Sequence, residues 1–174
     1  MATSALKSVT LTNLSLSPPK KATTGEGSAG YLRSVNEYLT PLDGDAAGST
    51  YKYVRIPTNA KVKHVKFEAG AMTAGTVGIG LYYSDAADGT QPSLAGTAVN
   101  ASFFASLVSL ATAFGITDVT NESGSYPANL RNKPIWEAAG LASDPGGFFD
   151  VVATVVTTAI TTGALTGLEV QYVE

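Results

Sequence analysis

Between Thr76 and Tyr83 the chain reads TVGIGLYY, and this run constrains the fold more than any other. Val77, Ile79, Leu81 and Tyr83 share one phase of a two-residue period, while Gly78, Gly80 and Tyr82 share the other. An extended strand sends alternate side chains to opposite faces, so one face of this strand is apolar and seeks a core. The opposite face is nearly bare. Two glycines there invite close approach by another backbone or sheet. The Gly78-Ile79-Gly80 triplet has the opening of a dinucleotide fingerprint, but no third glycine and no helix start follow it, so it is read as strand.

The flanking segments carry the same signature. Tyr51–Ile56 is a strand stopped by Pro57-Thr58-Asn59, and Lys61–Glu68 is a second strand. In the latter, Val62, Val65 and Phe67 break phase near Lys63-His64, which predicts a bulge. Residues 31–39 suggest a short edge strand, followed by an Asp-Gly turn at Asp43-Gly44. Toward the end, Phe148–Thr158 is β-branched on both phases, as in a strand covered on both sides. Leu168, Val170 and Tyr172 alternate with Glu169, Gln171 and Val173, as in a half-buried strand, with Thr161–Ala164 read as a hairpin link between the two. Thr117–Thr120 is a further candidate strand.

Two segments read as helical. In Asn100–Ala113, Phe103, Leu107 and Leu110 and, one step on, Phe104, Val108 and Ala111 stand at helical spacing behind a capping Asn100. In Lys133–Leu141, Pro134 suits a first turn and Gly140 an exit. The expected fold is therefore mainly β: a jelly-roll-like antiparallel β-sandwich with one or two short helices.

Residues 1–30 differ from the rest. They are rich in Ser and Thr, contain Pro18-Pro19-Lys20-Lys21, and end in a glycine cluster. Proline stiffens such a segment and glycine loosens it. We expect an extended N-terminal arm (1–30) ahead of a single sandwich domain (31–174). Val9, Leu11, Leu14 and Leu16 give the arm one interrupted strand-like stretch that needs a pairing partner.

Composition narrows the function. One histidine and no cysteine in 174 residues exclude thiol chemistry and leave metal centres and nucleophile–base pairs few members. His64 sits on a lysine-flanked strand and is expected to be an exposed strand residue. Asp43 and Asp45 lack the later ligands of a calcium loop. Glu122, Glu137 and Glu169 are scattered. No enzyme activity, metal or cofactor is expected. No apolar run reaches the ~18 residues of a membrane-spanning helix, so no membrane association is expected.

Net charge is −3, unevenly distributed: residues 1–66 carry nine basic and four acidic residues, and residues 67–174 carry two and ten. This makes a dipole if the fold separates the halves, and little if antiparallel strands interleave them. Basic residues and aromatics are not arranged as a nucleic-acid surface, so no nucleic-acid partner is expected.

Several segments, in order, carry a resemblance: Arg55–Ala60, Ile79–Tyr83, Phe103–Ser106, Lys133–Glu137, and Asp144-Pro145-Gly146 leading into Phe149-Asp150-Val151. Over Tyr51–Val173 the chain resembles the capsid cement (decoration) proteins of tailed bacteriophages. The resemblance implies a structural virion protein outside the head, a homo-oligomer (dimer or trimer) bridging neighbouring subunits of the major capsid protein. On this reading the partner contacts are expected from the arm and the basic segment after it: Val9, Leu11, Leu14, Leu16, Lys20, Lys21, Lys61 and Lys63. The alternative is a head-fibre or tail-associated sandwich that binds glycans through exposed aromatics, with Tyr31, Tyr38, Tyr51 and Tyr126 as candidates.

Overall fold

In a computed structural model, residues 31–84, 93–157 and 159–174 are described. Tyr31–Glu174 form one compact unit. The expected arm, with Val9, Leu11, Leu14, Leu16, Lys20 and Lys21, lies outside the described residues.

The strands are β1 (Leu32–Leu39), β2 (Thr50–Pro57), β3 (Lys61–Ala69), β4 (Thr76–Tyr83), β5 (Ala98–Ser109), β6 (Phe114–Asp118), β7 (Phe148–Val155) and β8 (Thr166–Val173). They form two four-stranded antiparallel sheets. Sheet A has the order β1-β8-β3-β6 and sheet B the order β2-β7-β4-β5. First pairs with last, second with seventh, third with sixth and fourth with fifth. A single long hairpin rolled into two layers gives this pairing, which is jelly-roll connectivity.

One apolar core lies between the layers. Val62, Val65 and Phe67 of β3 and Leu168 and Val170 of β8 meet Ile56, Ile79, Leu81, Phe149 and Val151 from sheet B. The alternation seen in the sequence decides which residues enter it, since each inward side chain is followed by an outward one. The predicted bulge in β3 is present: register shifts between Val62 and His64, leaving Lys63 as the extra residue. β7 is buried on both faces, as its β-branched composition implies, with Val151 and Val152 both fully enclosed.

The expected helix at Asn100–Ala113 is instead strand β5. A two-residue step on β4, Ile79 to Leu81, answers a five-residue step on β5, Ala105 to Asn100. The surplus residues bulge, so the adjacent Phe103 and Phe104 both enter the core. That irregularity imitates helical spacing. The bare face of β4 explains where the surplus goes. A Cβ on Gly80 would collide with the backbone of Asn100 and Ala101, and one on Gly78 would crowd the Ser102 hydroxyl at 3.0 Å. The two glycines thus admit another backbone, as the sequence suggests.

Three further expectations need adjustment. The strand near Thr117–Thr120 lies earlier, at Phe114–Asp118. The link at 156–165 is not a hairpin, because β7 and β8 belong to different sheets and the chain crosses between layers. Of the two helical segments only the second is helical: α1 (Ile135–Ala138), preceded by a 3-10 turn at Ala128–Leu130. Gly140, at φ 82°, ends it in the left-handed conformation that favours glycine. Trp136 packs against the core from this helix. Among the described residues no helix is long and apolar enough to cross a membrane.

Candidate functional surface

The outer faces of the two sheets are the broad surfaces of the molecule, and they differ. On sheet A, β8 turns Gly167, Glu169 and Gln171 outward, between Ser34, Asn36 and Tyr38 of β1 and His64, Lys66 and Glu68 of β3. Glu169 is the hub. It accepts hydrogen bonds from the Ser34 hydroxyl (2.8 Å) and the Gln171 amide (2.6 Å), and pairs with Lys66 Nζ at 3.4 Å. The Gln171 and Ser34 donors, helped by Lys66, hold its carboxyl below the usual value against a smaller opposing effect of burial.

Beside it, His64 Nδ1 lies 2.8 Å from Asp118 Oδ2. The other Asp118 oxygen takes the Thr120 amide at 2.9 Å and the Thr120 hydroxyl. Burial pushes this carboxyl up, but the Thr120 and His64 donors together hold it below the usual value. The order is hydroxyl–carboxylate–imidazole. The hydroxyl therefore bonds the carboxylate and not the imidazole, so this set activates no nucleophile. His64 is a partly exposed strand residue, as expected, and its role here is to tie β6 to β3.

At the far end of sheet A the surface becomes apolar. Tyr38, Ile116 and Leu165 are 75%, 66% and 57% exposed. Gly167 lies in two adjoining shallow depressions, and the side chain of Glu68 lines both.

On sheet B the chain covers its own β4–β7 part, while Lys52 and Arg55 of β2 stay exposed beside a further shallow depression. Asp150 is almost fully buried on the outward phase of β7, where Arg55 grips it with two bonds of 2.7 and 3.1 Å and Lys52 stands 3.9 Å away. Tyr82 bonds Thr154 at 2.7 Å next to Gly80.

Of the residues expected to contact partners, Lys61 is half-buried at the start of β3. Lys63, the bulge residue, donates to the Arg131 carbonyl (2.9 Å) and the Asn132 side chain (2.8 Å). Burial, and secondarily Lys61, lower its pKa. It secures the 131–132 loop.

On the described residues the basic first part and the acidic second part of the chain interleave. Arg33–Glu174, Arg55–Asp150 and Lys66–Glu169 pair the basic first part with the acidic second part across neighbouring strands. Such interleaving reduces the separation of charge that the sequence suggests.

Of the candidate glycan-binding aromatics, Tyr126 is a correction. It is fully buried, packs on Phe103 and Phe104 with ring centroids 5.1 and 5.4 Å away, and donates to the Val62 carbonyl at 2.9 Å. Burial raises its pKa, with Arg131 opposing. Tyr51 donates to Asp45 at 2.6 Å, which also accepts the Leu42 amide; Asp45 is a turn former, as its Asp-Gly setting implies. Tyr31 and Tyr38 are exposed. Sequence reasoning missed the Glu68–Ile116–Leu165 grouping, whose members come from three different strands or their flanks. Its only local trace is an apolar residue at a polar position: Ile116 between Gly115 and Thr117. Among the described residues no three His, Asp or Glu side chains converge as a metal centre would need.

No protein-family model and no curated protein matches the chain. Its fold is similar to that of a chain from the capsid of Ralstonia phage GP4. The TM-score is 0.56 and the identity 13%, over 88% of this chain and 91% of that one. What they share is the fold. A chain from the cyanophage Pam1 capsid asymmetric unit aligns over 91% of this chain and 95% of its own, with 16% identity and a TM-score of 0.38.

Proposed function

We propose that this chain is a structural protein of a phage virion, and within that class a cement protein. It binds the outside of the head as a homo-oligomer and bridges neighbouring subunits of the major capsid protein. The observation that carries this reading is the eight-stranded sandwich, shared over nearly the whole of both chains with one from the GP4 capsid. The character of its surfaces agrees. The depressions are shallow, several charged groups pair with one another across strands, and one broad sheet face stays open to neighbours.

The physics of such a role is linkage. A protein that binds only the assembled shell stabilises it by about 2.7 kcal/mol per site at a hundredfold excess over Kd. Repetition over many sites lets each contact be weak. Contacts between copies through residues 9–21 and contact with the head through Lys61 supply the hold in this proposal, while Lys63 acts by positioning its loop.

The test is a count and a removal. Quantitative mass spectrometry of purified heads is expected to find copies in numbers comparable to the major capsid protein. Heads stripped of the protein are expected to rupture at lower temperature and to recover on adding it back. A few copies located at the tail, or unchanged rupture temperature, overturns the proposal.

A further inference from the structure

We propose that the apolar depression at the far end of sheet A is the seat for residues 9–21 of a second copy of this chain. This rests on the reading of the chain as an assembly protein, and names the contact between copies.

Three observations converge on that occupant. First, the seat has a mixed chemistry. Phe114, Ile116 and Leu165 give it apolar walls around Gly167, the Lys66–Glu169 pair borders one side, and Glu68 reaches across the floor so that its carboxylate lies near where a Gly167 Cβ would point. Among the described residues no Lys or Arg pairs with Glu68, although Lys66 two positions away is held by Glu169. A half-buried carboxylate with apolar flanks fits a cation carried on an apolar stem, which is what lysine presents.

Second, residues 9–21 offer the complement in the right order. Val9, Leu11, Leu14 and Leu16 supply apolar groups, and Lys20-Lys21 supply cations. Pro18-Pro19 between them restricts the backbone freedom of the sequence, which lowers the entropy lost on docking. Residues 1–30 carry three lysines and one glutamate, while residues 31–174 carry eight basic and thirteen acidic residues, so the pairing is also favourable in charge.

Third, chain direction favours another copy. The segment joins the fold at Tyr31, the start of β1, whereas Tyr38 and the seat lie at the end of that eight-residue strand, roughly 26 Å away. Reaching its own seat requires the chain to turn back along all of β1. A seat on a second copy is not tied to this chain's own direction and sets no such requirement.

The chain contains no cysteine, which makes site-specific cross-linking clean. Full-length Leu14→Cys and Ile116→Cys variants, mixed without heads under mild oxidant, are expected to give a disulfide-linked heterodimer. Leu14→Cys mixed with Ala142→Cys, exposed at the opposite end, is expected to give little. In sedimentation velocity, the Lys20→Glu/Lys21→Glu variant is expected to self-associate about five- to tenfold more weakly than the parent, and adding Glu68→Lys is expected to restore association. Equal cross-linking at positions 116 and 142, no heterodimer at all, or no charge-swap rescue overturns the inference. Head binding is measured separately, so a failure here leaves the capsid reading standing, and the reverse.

Discussion

The two sheets have similar strands and opposite outer faces. On sheet B the outward phase of β7 is as dry as the inward one: Val152 is fully buried and Asp150 is 3% exposed. The chain supplies its own cover, a bulge of β5 laid against two glycines of β4. On sheet A the outward phase is polar in the middle and apolar at one end, and no described segment lies over it. The contrast teaches which face is available. Where the outward residues are Gly, Val and a buried Asp, the molecule has already used the surface on itself. Where they are Ser, Glu, Gln, Lys and an isolated Ile, the surface is left for others.

The largest expected effect tests the closed face. Gly80→Val places atoms inside the Asn100–Ala101 backbone and is expected to destabilise by about 3 kcal/mol in urea unfolding. Gly115→Ala on edge strand β6 of sheet A meets nothing within 4 Å and is expected to change stability by less than about 0.5 kcal/mol. Equal tolerance at the two positions breaks the comparison.

A smaller contrast uses charge. Asp150→Ala removes the partner of a two-bond guanidinium and is expected to cost about 2 kcal/mol, reduced from the fully buried case because Arg55 is 38% exposed. Glu169→Ala on the open face is expected to cost under about 1 kcal/mol. Thermal unfolding of both variants measures the gap. If Glu169→Ala proves the costlier change, the open face is structural and not reserved for partners.

How much of this was legible depends on distance along the chain. β4 is readable to the residue because Val77, Ile79 and Leu81 meet a flat core, and that environment enforces strict alternation. β5 is not readable, because its bulge serves Gly78 and Gly80 some twenty residues earlier. A window over Asn100–Ala113 sees apolar residues three and four apart, without the glycines that explain them. Tyr126 misleads in the same way: its local setting, Ser125-Tyr126-Pro127, is that of a loop, and only the fold places Phe103, Phe104 and the Val62 carbonyl around it. The Glu68 seat is least legible of all, since Ile116, Gly167 and Leu165 gather around Glu68 only when β6, β3 and β8 are set side by side.

The smallest expected effect concerns pH and sharpens the account of the open face. The Asp118 and Glu169 carboxyls are held below the usual carboxylate value in the fold, each by donors on sheet A or next to it. A group whose pKa is depressed on folding adds stability above its unfolded value, about 4 for a carboxyl, and loses that contribution as pH falls through the lower folded value. Stability is therefore expected to hold near neutrality and to decline progressively below about pH 4, as these two sites take up protons. Asp118→Asn and Glu169→Gln should each make the decline shallower, because an amide has no proton to gain. Urea midpoints measured at several values across this range supply the test. Parallel decline in the parent and the double variant means the acid sensitivity lies elsewhere, and the hydrogen-bonded carboxylates of sheet A are then solvated surface, without the organisation ascribed to them here.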